Sequence, residues 1–541
     1  MLEQTPAALD ATTPHLVPRE ASQVLMVDGA PFTMLAGEVH NSTSSSRTAL
    51  AAALDQAQAL GMNSVLAPVS WELVEPEEGR FDFSTVDFAL ELARERGLHL
   101  GLLWFGAFKN AQCYYAPPWV KRDLARFRRA EMVKGARRLS LECFYGMSYS
   151  ALSLFCPATR DADARAFAEL MAHIREVDAE RRTVVCVQVE NECGLMGAAR
   201  EHSDAADAAF AEQAPADLVA ALRGADLAAL APDVAGALAQ GAAAGTWEEV
   251  FGPVAEELFT AYHMASYVEA VARAGKAAYP LPFTVNCWLD KGHEPGRFPS
   301  GGPVARVMEV WRHAAPSIDI VGPDIYVPDF CDVCDAYRKL GNPLFIPESA
   351  THAYAAARQI WAIGHHRAVC YAPFGFEDLG QPFDASAGIL FGADASDKAL
   401  ATPQDAAEYG QVTRLLGQLL SLAPDAVGTP RLDAVTSERP EERLLAWDGL
   451  GVRVSFGRDA LPGACAAVQV GPGELYLLAF RCALRPVSID PERPHVDILV
   501  AEDGCARDGA WVPDRRLNGD EATMMRYDGP ALLHLQLFNY A

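Results

Sequence analysis

The stretch VVCVQVENECG, residues 184–194, decides the fold and points to the chemistry. Five of its first six residues, 184–189, are apolar, as expected for a parallel strand that is buried on both faces. The strand then ends in Glu190, Asn191 and Glu192. A carboxylate inside a core is costly unless it is paired, hydrogen-bonded or protonated. The stretch therefore indicates an interior strand that ends in a site.

Seven further apolar runs alternate with helical patterns between about residues 30 and 375. With the first stretch included, the runs lie at 32–40, 63–71, 98–106, 183–192, 281–288, 318–326, 343–349 and 368–376. Helices between them show in the periodicity, as at 47–61, where apolar residues recur on one face up to Gly61. Eight strands with helical connections predict an α/β fold, a (β/α)₈ TIM barrel, rather than an open doubly wound sheet.

Two segments fall outside the eight repeats. A helical insertion, about 198–275, follows the fourth run and contains a capping box from Thr246 to Glu249. Its first part is either a lid over the barrel mouth or a surface decoration. From 425 to 541, short alternating runs separated by Gly, Pro and Asp predict a C-terminal antiparallel β-sandwich domain. Residues 1–424 then form the barrel domain that carries the site.

The charge balance excludes several classes of partner. The formal net charge is −26, from 71 acidic and 45 basic residues, which argues against nucleic acid and against anionic membranes. No apolar run approaches the roughly 20 residues that span a bilayer. The N-terminus lacks the basic and apolar parts of a secretory signal, so a cytoplasmic or periplasmic location is expected. The oligomeric state stays open, with a homo-oligomer among the alternatives.

The 12 cysteines are scattered, many of them inside apolar runs. We expect most of them to be buried free thiols, because a chain of this size does not need a disulfide framework. Cys331 and Cys334 form one CxxC pair, whereas zinc ribbons use two such pairs. We therefore expect no metal and no cofactor.

Two carboxylates stand out because each ends an otherwise apolar run. Glu192 ends the fourth run and Glu348 the seventh, and the active sites of (β/α)₈ enzymes lie at the C-terminal ends of the strands. These runs lie on opposite sides of an eight-stranded barrel, so the carboxyls can face each other. In glycoside cleavage one carboxyl protonates the leaving oxygen, and in retaining enzymes the other attacks from about 5–5.5 Å away. A structural ion pair or cap is the alternative for each.

Further residues at the strand ends are candidates for substrate binding. Glu38 and Asn110 would bind sugar hydroxyls, or supply ordinary polarity at the rim. Trp104 and Trp288 would form apolar platforms for a sugar ring, with core packing as the alternative. Lys109 either joins the site or pairs with Glu38.

The alternation of side chains along a strand orders the two glutamates of the first stretch. Glu190 and Glu192 should both point toward the barrel axis, with Glu190 one layer deeper. Glu190 would accept hydrogen bonds or pair with a basic group, and only Glu192 would reach a glycosidic oxygen. Tyr326, at the end of the sixth run, would donate to Glu348 and hold it ionised, with a plain core tyrosine as the alternative.

The motifs VQVENECG and LFIPES together resemble the retaining β-galactosidases of glycoside hydrolase family 35. One bacterial branch of that family, whose C-terminal domain has no assigned function, is similar over most of the chain. The stretches that carry the similarity are GEVHNSTSS, WELVEPEEGRFDFS, LWFGAFKNAQCYYAPPWVK, FPSGGP and APSIDIVGPDIY. Two departures concern galactose contacts: Pro68 lies where the family usually has a Tyr, and Trp104-Phe105-Gly106 where it has a Glu.

The resemblance implies a carbohydrate substrate, with Glu192 as acid/base and Glu348 as nucleophile. It also implies that Asn191 hydrogen-bonds the sugar 2-hydroxyl. The expected activity is that of a retaining exo-β-galactosidase acting by double displacement. Two alternatives remain: a related glycosidase for another terminal sugar, such as a β-glucoside or an α-L-arabinopyranoside, and a non-catalytic carbohydrate-binding barrel.

Overall fold

The computed structural model describes residues 12–541 except 135–136, 141, 145–146, 227–228, 383–395, 442 and 458–460. Among these described residues, no helix combines the length and the apolar character that crossing a membrane requires. The 11 cysteines that can be described are free, and ten of them are buried, as expected. Cys331 and Cys334 lie on one helix of the outer layer.

The strands alternate with the helices through the first three quarters of the chain and then follow one another. They are β1 (His15–Pro18), β2 (Gln23–Val27), β3 (Ala30–Phe32), β4 (Met34–Glu38), β5 (Ser64–Ser70), β6 (His99–Lys109), β7 (Met132–Lys134), β8 (Arg137–Leu139), β9 (Glu142–Phe144), β10 (Met147–Tyr149), β11 (Val184–Asn191), β12 (Phe283–Trp288), β13 (Ile320–Ile325), β14 (Phe345–Ile346), β15 (Glu348–Ser349), β16 (Cys370–Tyr371), β17 (Leu432–Thr436), β18 (Leu444–Trp447), β19 (Leu450–Ser455), β20 (Ala464–Gly471), β21 (Glu474–Phe480), β22 (Cys482–Ser488), β23 (His495–Arg507), β24 (Ala510–Arg516), β25 (Met525–Tyr527) and β26 (Ala531–Tyr540).

The helices of the described residues follow the barrel strands, except the last one, which lies in the C-terminal part of the chain. They are α1 (Arg47–Ala59), α2 (Trp71–Val74), α3 (Ser84–Glu95), α4 (Pro118–Arg122), α5 (Pro157–Asp178), α6 (Asp204–Phe210), α7 (Ala216–Gly224), α8 (Pro232–Gln240), α9 (Trp247–Phe251), α10 (Ala255–Ala278), α11 (Met308–Ala314), α12 (Phe330–Ala336), α13 (Ala355–His365), α14 (Ala406–Leu422) and α15 (Asp520–Thr523). Helix α1 buries Leu50, Ala53, Leu54 and Ala57, the face that its periodicity predicts.

The predicted (β/α)₈ barrel is confirmed. One parallel sheet has the order β14-β16-β4-β5-β6-β11-β12-β13-β15. Strands β14 and β15 are two halves of the seventh strand, separated by Pro347: β14 pairs with β16, and β15 pairs with β13. Because proline has no N–H for the ladder, the strand changes partners there. The nine pieces therefore close into an eight-stranded ring.

A three-stranded antiparallel sheet, β1-β2-β3, precedes the barrel and closes its N-terminal end. Leu25 and Val27 of β2 pack into the interior of the barrel beside Met34, Phe345 and Val369, at the entrances of three strands. The opposite end, where the strands finish, is left for the site.

The helical insertion between β11 and β12 contains the predicted capping box. The Thr246 hydroxyl accepts the N–H of Glu249, and the Glu249 carboxylate accepts the N–H of Thr246. Helix α10 belongs to the barrel layer, since it packs along α5. The part of the 198–275 insertion that departs from the barrel pattern is therefore α6 to α9.

The predicted C-terminal antiparallel β-sandwich is also present. A sheet of order β17-β20-β21-β26-β23-β24 packs on a second sheet of order β18-β19-β22-β25 through Leu445, Val452, Leu477 and Leu535. Its other face packs on α13 and α14 of the barrel. The approach is close: a Cβ atom on Gly364 would lie 3.2 Å from that of Ala466. The predicted boundary at 424/425 falls between α14 and β17 and stays a prediction.

Candidate active site

Three carboxylates converge where the barrel strands end. One oxygen each of Glu192, Asp324 and Glu348 lies within 4.8 Å of the others, and all three side chains are buried. Glu192 follows β11, Asp324 lies near the end of β13, and Glu348 starts β15. Two of the three are the residues that the sequence singles out, on the fourth and seventh strands.

Glu348 is held by donors from three neighbouring strands. The Tyr326 hydroxyl donates to Oε2 at 2.6 Å, and the Nδ2 groups of Asn191 and Asn286 lie 3.4 Å from Oε1. Hydrogen bonds of this kind favour the ionised form of a carboxyl. Burial, followed by the charge of Glu348, raises the pKa of Tyr326 well above its usual value, which keeps the hydroxyl proton available for donation. These contacts fix the orientation of the Glu348 carboxyl, as a nucleophile requires.

Glu192 has the opposite electrostatic setting. Burial, and then the negative charge of Glu348, raise its pKa to about 7, although the positive charge of Lys109 opposes them. The Asn110 side chain donates to Oε2 at 2.7 Å, and the N–H of Glu192 donates to Asn286 Oδ1 at 2.9 Å. The φ of +42° at Glu192 places it in the left-handed region, where these contacts hold it. A carboxyl that titrates near neutrality suits a general acid.

Glu38 and Lys109 complete the charged surroundings of the pair. Both are buried, and no donor among the described residues reaches either oxygen of Glu38, so the alternative of a direct Lys109–Glu38 hydrogen bond is not realised. Burial, the charge of Glu348 and that of Glu192 raise the pKa of Glu38 well above its usual value. Lys109 lies 5.0 Å from the centre of the Phe105 ring. Burial lowers the pKa of Lys109, but the surrounding carboxylates, Glu348 first, outweigh it and raise the value.

Trp288 stands at the edge of the cluster, partly exposed. It ends β12, pairs in register with Asp324 of β13, and packs against Ala111, Tyr149 and Met196. This position is compatible with the predicted contact to a sugar ring, which stays a prediction, as do the roles of Glu38, Asn110, Asn191 and Tyr326.

Trp104 is placed differently from the expectation. Its indole lies between the barrel and the helices, packs on Phe167 of α5, and donates from Nε1 to Asp163 at 2.9 Å. The structure does not bring this ring to the carboxylate cluster. Odd and even residues of β6 face opposite sides, and Phe105, not Trp104, points into the barrel.

Glu190 also points away from the barrel axis, contrary to the alternation argument. The register of β11 shifts between Val189 and Asn191, and Glu190 has a φ of +62°. This bulge turns its carboxyl toward Asp163, with which it forms a hydrogen bond. Its Oε2 accepts the N–H of Phe108 at 2.7 Å. The interior glutamate thus anchors the strand, and the bulge frees Asn191 and Glu192 to face the pocket together.

Sequence reasoning missed two residues that connect the cluster. Asn286 Nδ2 donates to Asp324 Oδ2 at 2.8 Å, and the same amide approaches Glu348. Both residues lie inside apolar strands, in TVNCW and GPDIY, two positions before Trp288 and Tyr326 respectively. The signal that could have found them is their place in the alternation of side chains: each is a polar residue at a position that faces the interior of the barrel.

The three carboxylates are also the group within the described part of the chain whose oxygens are close enough to share a cation. Their oxygens already accept from the neutral donors of Asn110, Asn286 and Tyr326. These oxygens therefore already have hydrogen-bond donors within the protein.

Comparison with known proteins finds a match for two parts of the chain. Residues 24–130 match the family model described as Glycosyl hydrolases family 35, and residues 407–527 match a Domain of unknown function (DUF5597). A Beta-galactosidase of Xanthomonas manihotis is 41% identical over 81 residues, which is 15% of this chain and 13% of that protein.

Two solved structures are similar at low identity. The beta-galactosidase of the psychrophilic Marinomonas ef1 has 13% identity and a TM-score of 0.47, over 73% of this chain and 61% of that one. A catalytic mutant of Gan42B, a GH42 beta-galactosidase from G. stearothermophilus, has 15% identity and a TM-score of 0.47, over 73% and 58%. The alignments thus span less than two thirds of these relatives.

The barrel, with its carboxylate pair at the C-terminal ends of the strands, has the arrangement on which (β/α)₈ glycoside hydrolases rely. Residues 24–130 are similar to glycosyl hydrolases family 35, and residues 407–527 are similar to the domain of unknown function.

Proposed function

We propose that the protein is a retaining, exo-acting β-galactosidase that removes terminal β-D-galactosyl residues by double displacement. The observation that carries the proposal is the pair formed by Glu192 and Glu348, with oxygens within 4.8 Å of each other. So short a separation favours a retaining mechanism, since inverting enzymes keep their carboxyls about 6.5–9.5 Å apart to admit a water. Glu348 attacks the anomeric carbon while Glu192 protonates the leaving oxygen, and Glu192 then activates water.

The galactose specificity is supported by the curated β-galactosidase match and by the family resemblance. The departures at Pro68 and Trp104 concern contacts to this sugar, so a glycosidase for another terminal sugar is the alternative. Hydrolysis rates over a panel of nitrophenyl glycosides distinguish the two. We expect the β-galactoside to be cleaved fastest. Faster cleavage of the β-glucoside or the α-L-arabinopyranoside would change the proposed sugar specificity but not the proposed mechanism.

The mechanism is tested with Glu348→Ala and the dinitrophenyl glycoside of the best sugar. The variant should lose turnover, and azide should restore it by entering the space left by the carboxylate. The azide then forms its bond on the face opposite the leaving group, so proton NMR should show the α-glycosyl azide from a β-glycoside. Glu201→Ala, a buried carboxyl outside the cluster, should show no azide dependence. A β-azide product would place the nucleophile elsewhere.

A further inference from the structure

Asp324 is a third carboxyl in the catalytic centre, without a role in the two-carboxylate mechanism. Its side chain is 2% exposed and lies between Glu192 and Glu348. Asn286 donates to Oδ2 at 2.8 Å, whereas Oδ1 has no N–H or O–H donor among the described residues. Asp324 and Glu192 are within hydrogen-bond reach of each other. Two carboxyls can share a hydrogen bond only if one of them holds a proton.

The charges around Asp324 indicate which groups are neutral. The titratable groups that face it from the surrounding strands are Glu38, Lys109, Glu192, Cys287, Tyr326 and Glu348. Lys291, on the loop after β12, adds a second positive charge near Glu192. Four buried carboxyls with only two nearby ammonium groups cannot all be ionised without a large cost.

The hydrogen-bond donors around Glu348 and Asp324 also differ. Glu348 accepts a hydrogen bond from Tyr326 and lies 3.4 Å from two amide groups. Asp324 has a single amide, and burial, then the charges of Glu348 and Glu192, raise its pKa well above the usual value. The proton therefore resides on Asp324 when Glu192 is ionised.

We propose that Asp324 is a positioning residue that stays protonated and donates an O–H hydrogen bond to Glu192, stabilising the ionised form that acts as general base in the second step. The inference rests on the proposed glycosidase mechanism. The donated bond offsets part of the effect of burial and of Glu348, which raise the pKa of Glu192. Without it, Glu192 would remain protonated to higher pH.

The test compares Asp324→Asn with Asp324→Leu. The amide keeps a neutral N–H donor, so Asp324→Asn should retain the wild-type pH profile. Leucine removes the donor, so the alkaline limb of kcat/KM should move up by about one pH unit. Coincident limbs in Asp324→Leu and wild type would overturn the proposal.

Infrared difference spectroscopy supplies a readout that needs no turnover. At pH 9, above the titration of Glu192, the wild type should show a protonated-carboxyl band that Asp324→Asn lacks. Asp319→Asn is the control, because Asp319 pairs with Lys276 at 2.6 Å outside the site. The wild-type spectrum minus that of Asp324→Asn isolates this band, since other buried carboxyls such as Glu190 absorb equally in both proteins. A difference spectrum without the band would overturn the proposal even if Asp324→Leu fails to fold. Absence of glycosidase activity in the wild type would instead refute the proposed function, and the band would still report on Asp324.

Discussion

Glu192 must be an acid in the first step of the proposed reaction and a base in the second. Burial and the charge of Glu348 supply the first property, since they raise its pKa to about 7. Formation of the glycosyl-enzyme neutralises Glu348, so the pKa of Glu192 then falls and the carboxylate can activate water. The two roles follow from one electrostatic coupling between the carboxyls of the fourth and seventh strands.

Glu192→Gln should therefore affect substrates according to their leaving group. For a β-galactoside with an acidic dinitrophenol, kcat/KM should be nearly unchanged, because departure needs no proton. For lactose, the loss should be about 10²–10⁴-fold, the usual contribution of general acid catalysis. Wild-type kcat/KM should fall as the pH rises through about 7, where Glu192 loses its proton, and the variant should lack this limb.

The matched control is Glu201→Gln, since burial raises the pKa of Glu201 to about 7 as well, outside the carboxylate cluster. Its alkaline limb should coincide with that of the wild type. Equal losses on both substrates in Glu192→Gln, with the limb intact, would remove Glu192 from the role of acid.

At this scale the sequence predicts the carboxyls that end strands and misses the polar residues within them. Glu192 and Glu348 are visible because an apolar run stops at each of them. Asn286 and Asp324 are embedded in apolar runs, and their importance depends on which side of the barrel they face. For Glu190 the alternation of side chains predicts the wrong direction, because the backbone forms a bulge there. A bulge leaves no signature in the pattern of side chains along the sequence.

The bulge at the end of β11 brings two buried carboxyls, those of Glu190 and Asp163, next to each other. Glu190 and Asp163 form a hydrogen bond within a buried pocket where Asp163 also accepts from Trp104 and from Tyr267. There is little spare room: a Cβ on Gly106 would lie 2.7 Å from Glu190 and 2.8 Å from Asp163. Burial, then the charge of Asp163, raise the pKa of Glu190 well above its usual value.

This pair should make stability depend on pH. An unfolded Glu ionises above about pH 4.3, whereas folded Glu190 keeps its proton. Its stabilisation is therefore complete below that pH and is lost as the pH rises through the raised folded value, by at most about 1.4 kcal/mol per pH unit. Glu190→Gln, which is neutral at any pH, should lose less stability than the wild type between pH 5 and 9. The measurement is Tm against pH for both proteins.

Glu176→Gln on the same helix as Asp163 is the control, because Glu176 is exposed. Its Tm should follow the wild-type curve. A Glu190→Gln curve parallel to that of the wild type would mean that the pair does not bind an extra proton.

The sequence predicts well whether an element is a helix or a strand. It predicts less well to which part of the fold the element belongs. The eight strands and helices such as α1 follow from periodicity. The sequence places helix α10 in the insertion, since it does not reveal that this helix packs mainly on α5 of the barrel layer. Packing partners are a tertiary property.

The whole molecule is joined through a continuous core. Leu432, Ala434 and Leu478 of the sandwich belong to the same apolar cluster as the barrel helices. Arg358 of α13 is 2% exposed and forms a bidentate pair with Glu438, with its Nη2 2.8 Å from Oε2. The domain of unknown function therefore supports the helix that follows the strand of the nucleophile.

Glu438→Ala should destabilise the protein by about 3–5 kcal/mol, because it leaves a buried guanidinium without its partner. Urea unfolding should show a lower midpoint in a single transition, since barrel and sandwich share a core. Arg515→Ala is the control: Arg515 is 56% exposed and pairs with Asp503, so its removal should cost at most about 1 kcal/mol. A cost for Glu438→Ala no larger than that, or two separate transitions, would contradict a coupled interface.

Because the seventh strand changes partners at Pro347, the proposed catalytic site is complete only when the ring of barrel strands is closed. Glu348 follows directly after the residues of β14, which pair with β16. Its contacts to Tyr326 and Asn286 come from the other side of the seam, the place where the seventh strand changes partners. A chain whose strands have formed while the seam is still open holds no nucleophile opposite Glu192. We therefore expect activity to return during refolding only once this seam has closed, and no earlier than the spectroscopic signals of the strands and helices.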